Sequence, residues 1–102
     1  MSSKDSILTL IIPSFNREDE LRKRIKEVSL VKKIKIIIID DCSNPPYKDL
    51  SSKNILFKRN KKNLGRGISI LKALKITNTR FVSIFDDEDV INVPNLKKII
   101  SL

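Results

Sequence analysis

Three short apolar runs, each giving way abruptly to acidic or small polar residues, constrain this chain more than any other feature. Ile7-Leu-Thr-Leu-Ile-Ile12 ends at Pro13-Ser14-Phe15-Asn16, Ile36 to Ile39 at Asp40-Asp41-Cys42-Ser43, and Phe81-Val-Ser-Ile-Phe85 at Asp86-Asp87-Glu88-Asp89. The runs are nearly continuous rather than alternating. That pattern predicts strands buried on both faces, as in a parallel sheet. The segments between them read as helices. Glu18, Asp19 and Glu20 fill a first turn, where the helix dipole favours acids, and Leu21, Ile25 and Val28 follow at helical spacing, with Asn16 as the expected cap. Residues 54–58 suggest a further strand, and 60–67 a turn into a helix carrying Ile68, Leu71, Leu74 and Ile76 inward. Pro94 suits the first turn of a last helix over 95–102, with Leu96, Ile99 and Ile100 apolar. The stretch 43–52 is the one candidate for a mobile loop. Strands alternating with helices predict an α/β domain with a mostly parallel sheet of about four strands flanked by helices, in which ligands bind beyond the carboxyl ends of the strands. The unusual polar residues fall at those ends.

The chain has 102 residues, of which 40% are hydrophobic and 32% charged, a balance that predicts one globular domain over 1–102. Twenty-one Lys and Arg oppose 12 Asp and Glu, and the net charge of +9 favours an anionic partner. A nucleic-acid ligand is disfavoured, because the five aromatics are few and the strand-end acids repel a phosphate backbone. The lone Cys42 excludes an internal disulfide, and the absence of His removes the commonest metal ligand and general base. These features suit the cytoplasm. The start, Met1-Ser-Ser-Lys-Asp-Ser6, lacks signal-peptide architecture, and the apolar runs are too short to span a bilayer, so membrane contact is expected only as peripheral association at the inner face.

Four adjacent carboxylates at Asp86 to Asp89 repel one another unless a cation or hydrogen-bond donors compensate, and a hard divalent ion does so with oxygen ligands. A solvated turn capping the next helix is the competing account. Asp40-Asp41 offers a carboxylate that can accept the imino N–H of uracil, or else cap its own turn. Phe15 can stack on a base or act as a hydrophobic staple, beside the rigid Pro13 and the amide of Asn16. Gly65-Arg66-Gly67 opens a helix with a cation placed for a diphosphate. The spacing is not that of a Walker loop.

In this order, Leu10-Ile-Ile-Pro-Ser-Phe-Asn16, Ile38-Ile-Asp-Asp-Cys-Ser43, Asn63-Leu-Gly-Arg66 and Ile84-Phe-Asp-Asp-Glu-Asp89 closely resemble the N-terminal half of family-2 glycosyltransferases. The resemblance implies a Rossmann-like GT-A half that binds a nucleotide-sugar, a UDP-sugar first of all, with Mn2+ or Mg2+. It implies nucleotide contacts from Pro13, Phe15, Asn16, Asp40, Asp41, Arg66 and Asp86, and metal contacts from Asp87, Glu88 and Asp89. The family's Asp-any-Asp motif fits in two registers, Asp86 with Glu88 and Asp89, or Asp87 with Asp89. Family members continue with an acceptor-binding half carrying the catalytic base, so the resemblance implies a truncated domain to which no base can be assigned. It also implies strand edges through which the chain can self-associate. The alternative is a non-catalytic nucleotide-binding or oligomerisation module with a vestigial site. A nucleotidyltransferase is disfavoured by the lack of a Gly-rich, Lys-bearing loop after the first strand.

Overall fold

The computed structural model describes residues 5–102; the reading of Met1 to Lys4 lies outside the described residues. Its elements are β1 (Leu8–Ser14), α1 (Glu18–Val28), β2 (Ile34–Asp40), β3 (Ile55–Arg59), α2 (Arg66–Lys75), β4 (Phe81–Ile84) and α3 (Val93–Ile100). The four strands form one parallel sheet in the order β3-β2-β1-β4, so the fold is α/β as the apolar runs require.

Both faces of the central strands are covered, which is why β1 and β2 read as continuous apolar runs. Leu8, Leu10 and Ile12 share one face with Ile34, Ile36 and Ile38, packed under Leu21 and Val28 of α1 and Leu96 of α3. Ile11, Ile37 and Ile39 occupy the other face with Ala73 of α2. The register sets Ser14 level with Asp40, and Ile11 level with Ile84. The chain leaving β4 therefore runs beside the last residues of β1, fixed by Phe85 N donating to Ile11 O at 2.9 Å.

Helix α2 differs from the sequence expectation. Ile68, Leu71, Leu74 and Ile76 are 45%, 48%, 42% and 37% exposed, and Ser69 and Ala73 are the residues turned inward. Small side chains let the helix approach Ile11, Ile37 and Ile39 closely, and the larger ones are left outside. On the same sheet face Val82 and Ile84 of the edge strand β4 are also exposed. Asn16 likewise is not the cap of α1: Arg17 holds that position, with no side-chain hydrogen bond, while Asn16 adopts φ 54°. Helix α3 begins two residues earlier than expected, because Asn92 accepts from Asn95 N at 3.1 Å and so fixes the first turn there. The stretch 43–52 is pinned by Tyr47, buried and stacked on Phe57 with ring centroids 6.5 Å apart. Among the described residues no helix is long and apolar enough to cross a membrane.

Lys33, in the turn before β2, adopts φ 65°, and its carbonyl accepts from Ile7 N at 2.8 Å. A left-handed conformation costs a non-glycine residue about 1–2 kcal/mol, against about 0.5–1 kcal/mol for the extra freedom glycine has in the unfolded chain. Lys33→Gly is expected to stabilise the fold by about 0.5 kcal/mol, measured as a higher urea midpoint with unchanged slope.

Candidate functional site

The chain passes from β1 to β2 and β3 on one side, then returns to place β4 on the other side of β1. Loops leaving β1 and β4 thus diverge, and a crevice opens at their carboxyl ends. A cleft of about 260 Å³ lies there. Pro13, Phe15, Asp41, Arg66, Asp86, Asp87 and Glu88 line it, so three strand ends and the start of α2 converge. Asn16, Asp40 and Asp89 do not line it. Asn16 ties the β1 and β2 loops together, its N–H donating to Ser43 Oγ at 2.8 Å and its Oδ1 accepting from Asn44 N at 2.9 Å. Asp40 is fully buried, accepts from Ser43 N at 3.0 Å and pairs with Arg59 at 3.0 Å. Asp89 accepts from Asp86 N at 3.0 Å and closes the acidic turn.

Asp41 is 6% exposed and engages three donors. Its Oδ1 accepts from Asn60 Nδ2 at 2.9 Å and Leu64 N at 2.8 Å, and its Oδ2 from Gly65 N at 2.9 Å. Gly65 stands at φ 93°, a conformation in which a side chain is strained, and this aims its N–H at the carboxylate. Burial opposes the charge, but the donors at Leu64, Asn60 and Gly65 and the nearby Lys72 cation outweigh it, so the carboxyl lies below its usual range. Asp41 is accordingly an ionised, acceptor-only group. A carboxylate has about four acceptor sites, so Oδ2 keeps one for a ligand N–H.

Asp87 has the opposite electrostatics. Burial pushes its carboxyl above the usual range, opposed by the Ser14 hydrogen bond and the Arg17 charge, and the neighbours Asp86 and Glu88 add to the upward shift. Ser14 Oγ donates to Asp87 Oδ2 at 2.7 Å and stands 2.8 Å from the Tyr47 hydroxyl, which accepts from Arg17 N at 2.7 Å. With both hydroxyls so placed, Tyr47 donates to Ser14, and Ser14 to Asp87. The remaining acids carry guanidinium partners: Arg66 Nε donates to Asp86 Oδ1 at 2.7 Å, and Arg17 lies 3.3 Å from Glu88. Both pairs are well exposed and so are weak, readily exchanged contacts.

Among the described residues no three acids converge closely enough to enclose a metal ion by themselves. The cleft nevertheless has the oxygen donors that suit a divalent ion. Its lining sets four carboxylates (Asp41, Asp86, Asp87, Glu88) against two guanidiniums (Arg17, Arg66), an excess of two negative charges. Mg2+ or Mn2+ takes one or two carboxylates and completes its shell with oxygens from water or a ligand. The donor set fits.

Sequence reasoning did not single out Arg17, Tyr47, Asn60 or Ser69. Arg17 and Tyr47 sit beside recognised motifs, and their signal was adjacency alone. Asn60 and Ser69 meet Asp41 only because α2 docks its small-residue face, which no local pattern announces.

A parallel α/β sheet covered by helices on both faces, with a charged crevice at its switch point, defines a domain of the doubly wound type. The chain belongs to glycosyl transferase family 2, whose model matches residues 9–102. An uncharacterized glycosyltransferase of Methanocaldococcus jannaschii, MJ1057, is 32% identical over 69 residues, covering 62% of this chain and 24% of that protein. Mannosyltransferase PcManGT from Pyrobaculum calidifontis, solved in complex with GDP-Man and Mn2+, matches with a TM-score of 0.67 at 13% identity, over 85% of this chain and 29% of that one. At that identity the likeness establishes the GT-A fold. The chain spans about a quarter of the length of these relatives.

Proposed function

We propose that the cleft is the donor half-site of a family-2 glycosyltransferase, binding a UDP-sugar with Mn2+ or Mg2+, in a single domain whose acceptor site and catalytic base lie outside these 102 residues. The convergence of Asp41, Arg66 and the Asp86–Glu88 turn on one crevice carries this reading. Asp41 offers its free acceptor site to the imino N–H of uracil. Phe15, 45% exposed, offers a ring face to the base. Arg66 exchanges Asp86 for a diphosphate oxygen, a stronger charge-assisted contact. Asp87 and Glu88 would hold the ion, with Asp89 fixing their turn through the Asp86 N–H; when bound, the ion neutralises charge on the departing nucleoside diphosphate. Asn16 and Asp40 support the base side by fixing the loops on which Phe15 and Asp41 sit. The free thiol of Cys42 suits a cytoplasmic site of action. The exposed edge of β4, with Val82 and Ile84, is where the acceptor half or a second copy would pack.

Calorimetric titration of UDP with and without Mn2+ tests the reading. Binding that requires the ion is expected, weakened about tenfold in Arg66→Gln, the worth of one charge-assisted hydrogen bond. One observation favours a second reading, a non-catalytic module: Asp86 and Glu88 already have arginine partners, so the cleft is partly neutralised without an ion. Absence of UDP binding in both conditions by the folded chain would decide for that module.

A further inference from the structure

Asn60, the residue after β3, is 2% exposed, and its whole side-chain amide is engaged. Its Nδ2 donates to Asp41 Oδ1 at 2.9 Å and to Ser69 Oγ at 3.0 Å, and its Oδ1 accepts from Lys72 Nζ at 2.8 Å. An ammonium group only donates. Lys72 therefore fixes which end of the amide faces it, and so turns the NH2 group toward Asp41. Asn60 N is itself anchored, donating to Asp40 O at 2.8 Å. The terminal torsion of an aspartate is broad and roughly two-fold, so a carboxylate needs outside contacts to hold one orientation. Leu64 N and Gly65 N contact Asp41 from the α2 side, and Asn60 from the β3 side. With Oδ1 saturated by two donors, the one free acceptor site is left on Oδ2.

We propose that Asn60, oriented by Lys72, is a positioning residue for base recognition: it locks the Asp41 carboxylate so that its free acceptor site meets the N–H of the nucleobase. The inference rests on the donor-site reading and assigns a role to residues that touch no ligand. Ser69, which lines the cleft, is held by the same amide.

Two probes measured by calorimetry in saturating Mn2+ separate this role from a structural one: UDP, which has a base, and inorganic pyrophosphate, which does not. Asn60→Ala is expected to weaken UDP about tenfold, one charge-assisted hydrogen bond's worth of orientation, and to leave pyrophosphate within about twofold. Lys72→Met, at an exposed position, is expected to weaken UDP about threefold with the same selectivity. Adding Asn60→Ala to Asp41→Asn should cost UDP nothing beyond Asp41→Asn alone, because the two residues act through one contact. Equal losses on both probes would show that Asn60 only supports the loop bearing Arg66, and would overturn the positioning role, as would additive losses in the double variant. If Asn60→Ala does not fold, Lys72→Met decides by the same criterion. Wild-type protein that binds pyrophosphate but not UDP, or neither, overturns the donor-site reading and this inference with it.

Discussion

Asp41→Asn is expected to destabilise the protein by about 3 kcal/mol at neutral pH and to weaken UDP binding about 100-fold. The carboxylate receives three donors, two of them the backbone N–H groups of Leu64 and Gly65. An asparagine presents one oxygen and one NH2, so at least one donor then faces another donor. Leaving a buried donor unmatched costs about 1–3 kcal/mol, and the two remaining bonds lose their charge assistance. The pH dependence carries a definite sign. The folded-state pKa of Asp41 lies below that of a free aspartate. Its stabilisation is thus complete above that value and is lost as pH falls through the lower, folded one. Urea unfolding should show a gap between wild type and variant that is constant near neutrality and closes at the acid end. A gap that persists into acid would mean that side-chain shape, and not charge, holds the loop. Ligand binding follows from the same atoms, because an amide NH2 turned to the cleft repels an imino N–H.

Much of this site was legible in the sequence because a parallel sheet leaves few places for an acid to go. A continuous run such as Ile36 to Ile39 demands cover on both faces, and the acids that end it must then lie at the rim of the sheet, where ligands bind. Asp41, Asp86 and Asp87 were found by that logic. Asp40 and Asp89 share the same local signal yet turn away from the cleft, Asp40 to Arg59 and Asp89 to the Asp86 N–H. Which of two adjacent acids faces the crevice depends on the backbone turn, and the Asp-any-Asp spacing leaves that open. Helix α2 was hidden for another reason. Its apolar spacing points Ile68, Leu71 and Leu74 along one stripe, but Ser69 and Ala73 are what the sheet accepts, since close approach favours small residues. Asn60 lies 19 residues from Asp41 and 12 from Lys72, so only that docking reveals its role.

The combined replacement Asp87→Ala and Asp89→Ala is expected to remove the Mn2+-dependent part of UDP affinity, a loss of about 100-fold or more. In the ion-free protein Asp87 is a burden. Burial holds its carboxyl above the usual range, so ionising it costs the fold stability, which is lost as pH rises through that raised value. Asp87→Asn keeps the Ser14 contact without the buried charge, and should leave ion-free stability at neutral pH unchanged or higher. Asp89→Ala removes an acceptor from Asp86 N and should cost about 1 kcal/mol. A buried carboxylate that costs the ion-free fold stability gains a favourable partner when a cation binds beside it. Calorimetry on the double variant should therefore return the same weak UDP affinity with and without Mn2+, while its melting temperature falls by only about 4–8 °C, the worth of about 1 kcal/mol in a domain of this size. If Mn2+ still strengthens UDP binding by the wild-type factor, the ion is held by the carboxylates left in the cleft, Asp41, Asp86 and Glu88. Should the variant melt far below wild type instead, the acidic turn is a structural cap, and Ser14 and Tyr47 serve the fold of the β1 loop alone.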